Sequence, residues 1–248
     1  MNCPICKGNT INYVNDLLRC IRCLHIFKNE LIDGGIYTNY LSSAHTKKTE
    51  EHVKNAIISA NYRINIITPY VKSGSLLELG SGHRYFLDVA KEKGFSVEGT
   101  ELSRAMIEDI QDHKIHYGNP SEIKDLGMYD VICGFHVLEH MNNPVEELLI
   151  LKSHLKENGI IVIEIPTMLF YGNVTSTKDF YQSAHTQYFG QYSIITMCDA
   201  IGMVPIMQIN WFPKNIAYTI IVLTKDKSLQ EENMWKTLNY MLRRNENE

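Results

Sequence analysis

The sequence predicts an α/β protein: a doubly wound, mostly parallel sheet behind a small N-terminal metal module. Three observations carry that expectation. Apolar runs of strand length alternate with helical patterns from Ser75 to Ile165, the order that right-handed βαβ crossovers need. One of these runs, Leu76-Leu77-Glu78-Leu79, breaks into the glycine turn Gly80-Ser81-Gly82. Two Cys-x-x-Cys pairs, Cys3 with Cys6 and Cys20 with Cys23, stand ahead of everything else.

The elements follow in order. Residues 1–28 hold the cysteine pairs, and residues 29–48 are polar and turn-rich, with Gly34-Gly35, Tyr37 and Tyr40. Val53, Ala56, Ile57, Ala60, Ile64 and Ile67 recur at helical spacing between about Thr49 and Tyr70. Pro69 and Gly74 end that helix. Leu76–Leu79 is the first strand of the alternation, Tyr85–Lys93 a helix closed by Gly94, and Ser96–Thr100 a second strand. Ser103 is the N-cap of a helix running to about Asp112. Lys114–Tyr117 is a third strand, closed by Gly118-Asn119-Pro120. Asp130–Phe135 is a fourth strand and Pro144–Leu155 a helix. Ile160–Ile165 is a fifth strand, whose unbroken run Ile160-Ile161-Val162-Ile163 fits burial on both faces. Ser193–Ala200 then reads as a helix closed by Gly202. Met203–Trp211 and Ile216–Thr224 read as an antiparallel pair joined through Pro213, Lys214 and Asn215. Residues 226–248 read as a charged helix and tail. The expected organisation is a metal module over 1–28, a linker and helical lid over 29–72, the sheet domain over 73–225, and the tail.

Composition narrows the function. The chain has 248 residues, 44% of them apolar, which suits an ordinary globular core. A net charge of −4 argues against a dedicated nucleic-acid binder. No apolar run approaches the ~20 residues that span a bilayer. The opening Met1-Asn2-Cys3-Pro4 lacks the apolar stretch of a secretory leader. Paired cysteines in such a chain suit metal better than disulfides, and a cytoplasmic location is expected.

The motifs imply two binding sites. Tetrahedral zinc takes four thiolates at ~2.3 Å, and each Cys-x-x-Cys turn delivers two of them. Cys3, Cys6, Cys20 and Cys23 are therefore expected to hold structural zinc, with His25 in a surface or packing role. Four basic residues here (Lys7, Arg19, Arg22 and Lys28) against one acid, Asp16, make only a mild positive patch. In the sheet, the glycine turn followed one βα unit later by Glu101 points to a nucleoside. Glycine lets backbone approach the ligand, and the acid accepts from ribose hydroxyls. A dinucleotide fingerprint would want glycine at 85, where Tyr85 stands, and no phosphate loop ending in Lys-Ser or Lys-Thr is present.

These residues carry a resemblance. Glu78-Leu-Gly80-Ser-Gly82 resembles the first motif of class I S-adenosylmethionine-dependent methyltransferases, and Val97-Glu-Gly-Thr-Glu101-Leu102-Ser resembles their second. Tyr129-Asp-Val-Ile-Cys-Gly-Phe135-His136-Val-Leu-Glu139-His140 is similar to their fourth-strand segment. The resemblance covers residues 73–224 and implies a seven-stranded Rossmann-like sheet with a terminal antiparallel hairpin. It implies S-adenosyl-L-methionine contacts at Glu78, Gly80, Gly82, Glu101, Leu102, Asn119, Phe135 and His136. Two positions depart from it: Arg84 stands where a third glycine is usual, and Asn119 where an acid is frequent. With the four cysteines, the layout resembles small-molecule methyltransferases that carry an N-terminal zinc ribbon, including sugar C-methyltransferases. Some ribosomal RNA methyltransferases share it too.

Methyl transfer to a hydroxyl needs alignment and a base. Candidates follow strands four and five: His136, Glu139, His140, Tyr181, His185 and Tyr188. Where the sugar C-methyltransferases carry Tyr-His-Glu-His, this chain has Gln182-Ser183-Ala184-His185, so only the last histidine remains. That favours O-methylation of a small polar or sugar-like acceptor, a class that includes sugars and sugar nucleotides, with His185 as first choice of base and His140 and His136 behind it. The alternatives are an RNA methyltransferase and a non-catalytic protein that binds a partner through the zinc ribbon.

Overall fold

The computed structural model describes residues 1–14, 16–29, 49–108, 112–168, 184–211 and 217–228. Tyr37, Tyr40, Tyr181 and the C-terminal charged segment after residue 228 lie outside the described residues, as does the part of the expected linker and lid over 30–48.

A seven-stranded sheet organises the chain. Its strands are β4 (Gly74–Leu79), β5 (Phe95–Glu101), β6 (Lys114–Tyr117), β7 (Tyr129–Phe135), β8 (Leu155–Thr167), β10 (Val204–Trp211) and β11 (Ala217–Thr224). They lie in the order β10-β11-β8-β7-β4-β5-β6. The five strands of the alternation pair in parallel. β11 inserts antiparallel between β8 and β10, so the expected terminal hairpin is incorporated by its second strand. The strand order reverses between β4 and β7, the switch point at which open α/β sheets bind ligands.

Helices cover both faces. The helices α1 (Glu50–Ile67) and α2 (Tyr85–Glu92) bury Ala60, Ile64, Ile67, Phe86 and Leu87 against Leu76, Val131, Val162 and Val222. Thr49 caps α1 by accepting the His52 N–H at 3.2 Å. The short helix α3 (Arg104–Glu108) follows β5. On the other face, α4 (Pro144–Ser153) and α5 (Gln191–Ile201) bury Leu148, Leu151, Met197 and Ile201 against Leu77, Ile132, Ile163 and Leu223. One junction differs most from expectation. α4 stops at Ser153, and β8 begins at Leu155, paired to Tyr129, with an irregularity before Ile160 meets Val131. Polar Lys156, Glu157 and Asn158 hid this early strand edge from any apolar pattern.

The cysteine module is a second sheet, β1 (Thr10–Asn12), β2 (Leu17–Cys20), β3 (Ile26–Lys28) and β9 (Gln187–Tyr188), all antiparallel. Its last strand comes from far along the chain. Cys3, Ile5, Phe27 and Phe189 join the same core as α4 and α5. Among the described residues, no helix is long and apolar enough to cross a membrane.

Candidate functional site

The C-terminal ends of β4, β5, β7 and β8 meet at the switch point. After β4 the chain turns through Gly80 and Gly82, both left-handed, with φ of 61° and 48°. A Cβ at Gly80 would stand 2.8 Å from Val137 Cγ2, whereas one at Gly82 would meet only the Gly80 carbonyl, at 3.9 Å. Packing therefore demands the first glycine, and the second leaves space above the turn. Arg84 also takes a left-handed conformation, φ 64°, at a cost of about 1–2 kcal/mol for a residue with a Cβ. The departure at Arg84 thus keeps the path a glycine would follow. Its N–H donates to the Ser81 carbonyl at 2.7 Å.

Two buried carboxylates flank this turn. One Glu101 oxygen accepts the N–H groups of Leu102 and Ser103, each at 2.8 Å, and the other accepts that of Gly82 at 2.9 Å. A carboxylate has about four lone-pair positions, so Glu101 retains capacity for a further donor. Glu78 is buried, and its Oε2 has no hydrogen-bond partner. Burial pushes its carboxyl well above the usual range; Arg63 opposes that shift, while Glu101 and Asp88 add to it. Asn119 is engaged locally: its N–H and Nδ2 donate to Glu122 Oε2 at 2.7 and 3.2 Å.

Beyond β7 the side chains form a charged cluster. His136 is left-handed, φ 59°. Its Nδ1 lies 3.4 Å from Glu139 Oε1 and its Nε2 3.4 Å from Glu164 Oε1. Arg63 of α1 donates to Glu164 Oε2 at 2.6 Å and lies over the Phe135 ring at 4.4 Å. Burial opposes charge on His136, but the hydrogen bonds and charges of Glu139 and Glu164 prevail and raise it to about 9. Burial likewise opposes ionisation of Glu139 and Glu164, and the cations beside them outweigh it, holding both carboxyls below the ordinary range. The Tyr218 ring of β11 meets the His136 ring edge-on at 4.9 Å.

His140 and His185 stand next to this cluster, with ring centroids 4.8 Å apart. His140 Nδ1 lies 2.9 Å from the Ala184 carbonyl; a carbonyl only accepts, so Nδ1 donates. Burial lowers His185 to about 4, helped by the charges of His140, His136 and Lys28 against that of Glu139. The structure thus brings the three candidate histidines together, each in a different electrostatic setting.

In the N-terminal module the four cysteines converge. One sulfur from each of Cys3, Cys6, Cys20 and Cys23 lies within 4.8 Å of the rest. Cys3–Cys23 and Cys6–Cys20 sulfurs are 3.6 and 3.4 Å apart. A tetrahedron with ~2.3 Å bonds has edges of ~3.8 Å, so these thiols can hold a four-coordinate ion. Lys7 and Leu24, which follow the second cysteine of each pair, are both left-handed. His25 is fully buried, stacked at 5.9 Å on Phe27, with a ring nitrogen donating to Gln187 Oε1 at 2.8 Å. Of the surface and packing roles expected for it, the structure shows packing.

Sequence reasoning passed over Arg63 and Glu164. A signal existed for each. Glu164 interrupts the apolar run Ile160–Ile165, and Arg63 sits three residues after Ala60, on the helix face that carries Ile64 and Ile67.

Comparison with known proteins agrees with this geometry. The chain is 30% identical over 117 residues to a ubiquinone biosynthesis O-methyltransferase of Rickettsia canadensis (strain McKiel), a match covering 43% of this chain and 50% of that one. The chain thus spans about half the length of that relative. Burkholderia thailandensis 1,6-didemethyltoxoflavin-N1-methyltransferase, solved with its substrate and S-adenosylhomocysteine, superposes with a TM-score of 0.59 at 12% identity. That match covers 88% of this chain and 100% of the other. Magnesium protoporphyrin IX methyltransferase of Synechocystis PCC 6803 also gives 0.59, at 13% identity, over 77% of this chain and 100% of its own. A family model described as a methyltransferase domain matches residues 63–244, well over half the chain, and the chain belongs to that family.

Proposed function

We propose that this chain transfers a methyl group from S-adenosyl-L-methionine to a hydroxyl of a small polar acceptor, with His185 as base and a structural zinc on the four cysteines. The observation that carries the cofactor reading is the pairing of Glu101 with the open glycine turn at the switch point. The residues fit the group. Glu101 keeps acceptor capacity for a ribose hydroxyl, and the unpartnered Glu78 oxygen suits the ammonium or another donor of the methionyl end. Leu102 and Phe135 supply apolar surface, and Asn119 an amide, at the ends of neighbouring strands. When bound, the cofactor supplies a methyl on a positively charged sulfur.

The chain's own residues then divide the work. His136, raised to about 9 by two carboxylates, is protonated at neutral pH; with its two ring nitrogens facing Glu139 and Glu164, it supplies a fixed positive charge at the site. His185, lowered to about 4, is neutral and has a lone pair for the acceptor proton. A base of that strength is weak, even with the charge of the adjacent Glu139 carboxylate favouring its imidazolium. His140, tied to the Ala184 carbonyl, positions the His185 ring. The acceptor class rests on the loss of the Tyr-His-Glu triplet ahead of His185 and on the O-methyltransferase name of the relative.

The test is a calorimetric titration with S-adenosyl-L-methionine beside a Glu101→Ala control. Micromolar binding that the control loses supports the cofactor site. A folded protein that does not bind it refutes the reading. A His185→Ala protein that methylates phenolic or sugar hydroxyls at the wild-type rate removes His185 from the reaction.

A further inference from the structure

We propose that Glu139, His140 and His185 form a second metal site, distinct from the cysteines, for a divalent transition-metal ion. One ligand atom from each of the three lies within 4.8 Å of the other two. The donors come from two segments, the turn after β7 and the approach to β9. Those segments are pinned together: the Thr186 N–H donates to the Glu139 carbonyl at 2.7 Å, and Thr186 Oγ1 to the Met141 carbonyl at 3.0 Å.

An independent feature points to an ion here. Glu139 is buried to 1% exposure, and its Oε2 has no hydrogen-bond partner. An unmade bond on a buried carboxylate oxygen is costly, and a cation in the cluster would satisfy it. The Ala184 carbonyl accepts from His140 Nδ1 and so orients that ring, the outer-shell device that usually positions metal-binding histidines. Two imidazoles and one carboxylate favour Fe²⁺, Co²⁺, Ni²⁺ or Zn²⁺ over the hard ions Mg²⁺ and Ca²⁺. Three protein ligands leave open positions.

The site stands on geometry alone; its part in the reaction rests on the methyltransferase reading above. The acceptor oxygen would occupy an open position. Coordination and proton acceptance use the same His185 lone pair, so a bound ion replaces His185 as the activating group. It would acidify the hydroxyl directly: the O–H bond breaks with its proton passing to solvent, and the oxygen electron pair bonds the methyl as the methyl–sulfur bond breaks, its electron pair returning to sulfur to leave the neutral thioether S-adenosylhomocysteine.

The experiment uses full-length protein whose cysteines are already loaded with zinc. Co²⁺ is added and followed by visible absorption, with S-adenosyl-L-methionine binding measured on the same samples. The expected result is d–d bands of a nitrogen and oxygen site, without thiolate charge transfer, saturating at one further ion per chain. Glu139→Gln and His185→Ala should each weaken Co²⁺ binding at least tenfold; if buried Glu139→Gln does not fold, the half-buried His185→Ala decides. Absence of these bands, or binding unchanged in the folded variants, overturns the proposal. Cofactor binding without Co²⁺ binding removes the ion alone, whereas Co²⁺ binding without cofactor binding leaves the ion site and removes the cofactor reading.

Discussion

Arg84 shows how a single residue can break a motif and keep its shape. The glycine turn, Glu78 and Glu101 were legible in the sequence because each has a chemical reason for its place. Arg84 looked like a loss of the third glycine, yet it adopts the left-handed conformation that glycine would take. An Arg84→Gly substitution should therefore relieve strain and stabilise the fold by about 1 kcal/mol. For a chain of this size that is a rise of roughly 2–4 °C in Tm, measurable by thermal denaturation; a fall in Tm would mean that the arginine side chain contributes more than its backbone costs. Arg63 behaves differently. Removing its guanidinium by Arg63→Met leaves Glu164, 2% exposed, with His136 as its one remaining ion-pair partner among the described residues. The expected loss lies toward the lower end of the ~3–5 kcal/mol typical of a broken buried pair, because His136 remains. Urea unfolding measures it, and a change within 0 to ~1 kcal/mol, the range of a surface pair, would contradict it.

Among the elements, the decisive one is the shortest. Apolar periodicity found the sheet strands and the helices because each spans enough residues to show its period. It could not find β9, two residues long, whose position depends on a partner some 160 positions away. That strand joins the cysteine module to the candidate reaction site. His25 of the module donates to Gln187, and Gln187 Nε2 donates to the Met141 carbonyl at 2.9 Å, one residue past His140. His185 lies two positions before Gln187. A Gln187→Ala protein should thus lose alignment of His185 and His140 while β4 and β5 stay intact. Acceptor turnover should fall at least about tenfold, since a misplacement near 1 Å can cost more than that, with S-adenosyl-L-methionine affinity unchanged. Steady-state kinetics paired with calorimetry separate the two quantities. Equal losses in both would show that the strand merely holds the fold together.

At the scale of the whole molecule, the charges buried under the switch point set the pH range of stability. The sequence showed a near-neutral chain with ordinary composition, and nothing in that balance revealed where the charges gather, because burial and pairing are properties of the assembled sheet. His136 has a folded-state value raised to about 9 from about 6.5. The stability it contributes is fully present below about 6.5 and is lost as pH rises through about 9. His25 runs the other way. Burial lowers it to about 4, with Gln187 opposing, so the unfolded chain takes up its proton first as pH falls from about 6.5. For a fully buried ring that shift corresponds to roughly 3 kcal/mol lost by pH 4. His185, also lowered to about 4, adds in the same direction, reduced by its partial exposure. Glu139 and Glu164, held below the ordinary range, steepen the acid limb further as they protonate. The stability maximum should accordingly lie near pH 6.5, falling on the alkaline side as His136 loses its proton and on the acid side as the other groups take protons up. In a His136→Gln protein the alkaline limb should flatten while the acid limb persists. Thermal unfolding followed from pH 5 to 10 reads both limbs at once, and an alkaline limb that survives the substitution unchanged would assign it to groups other than His136.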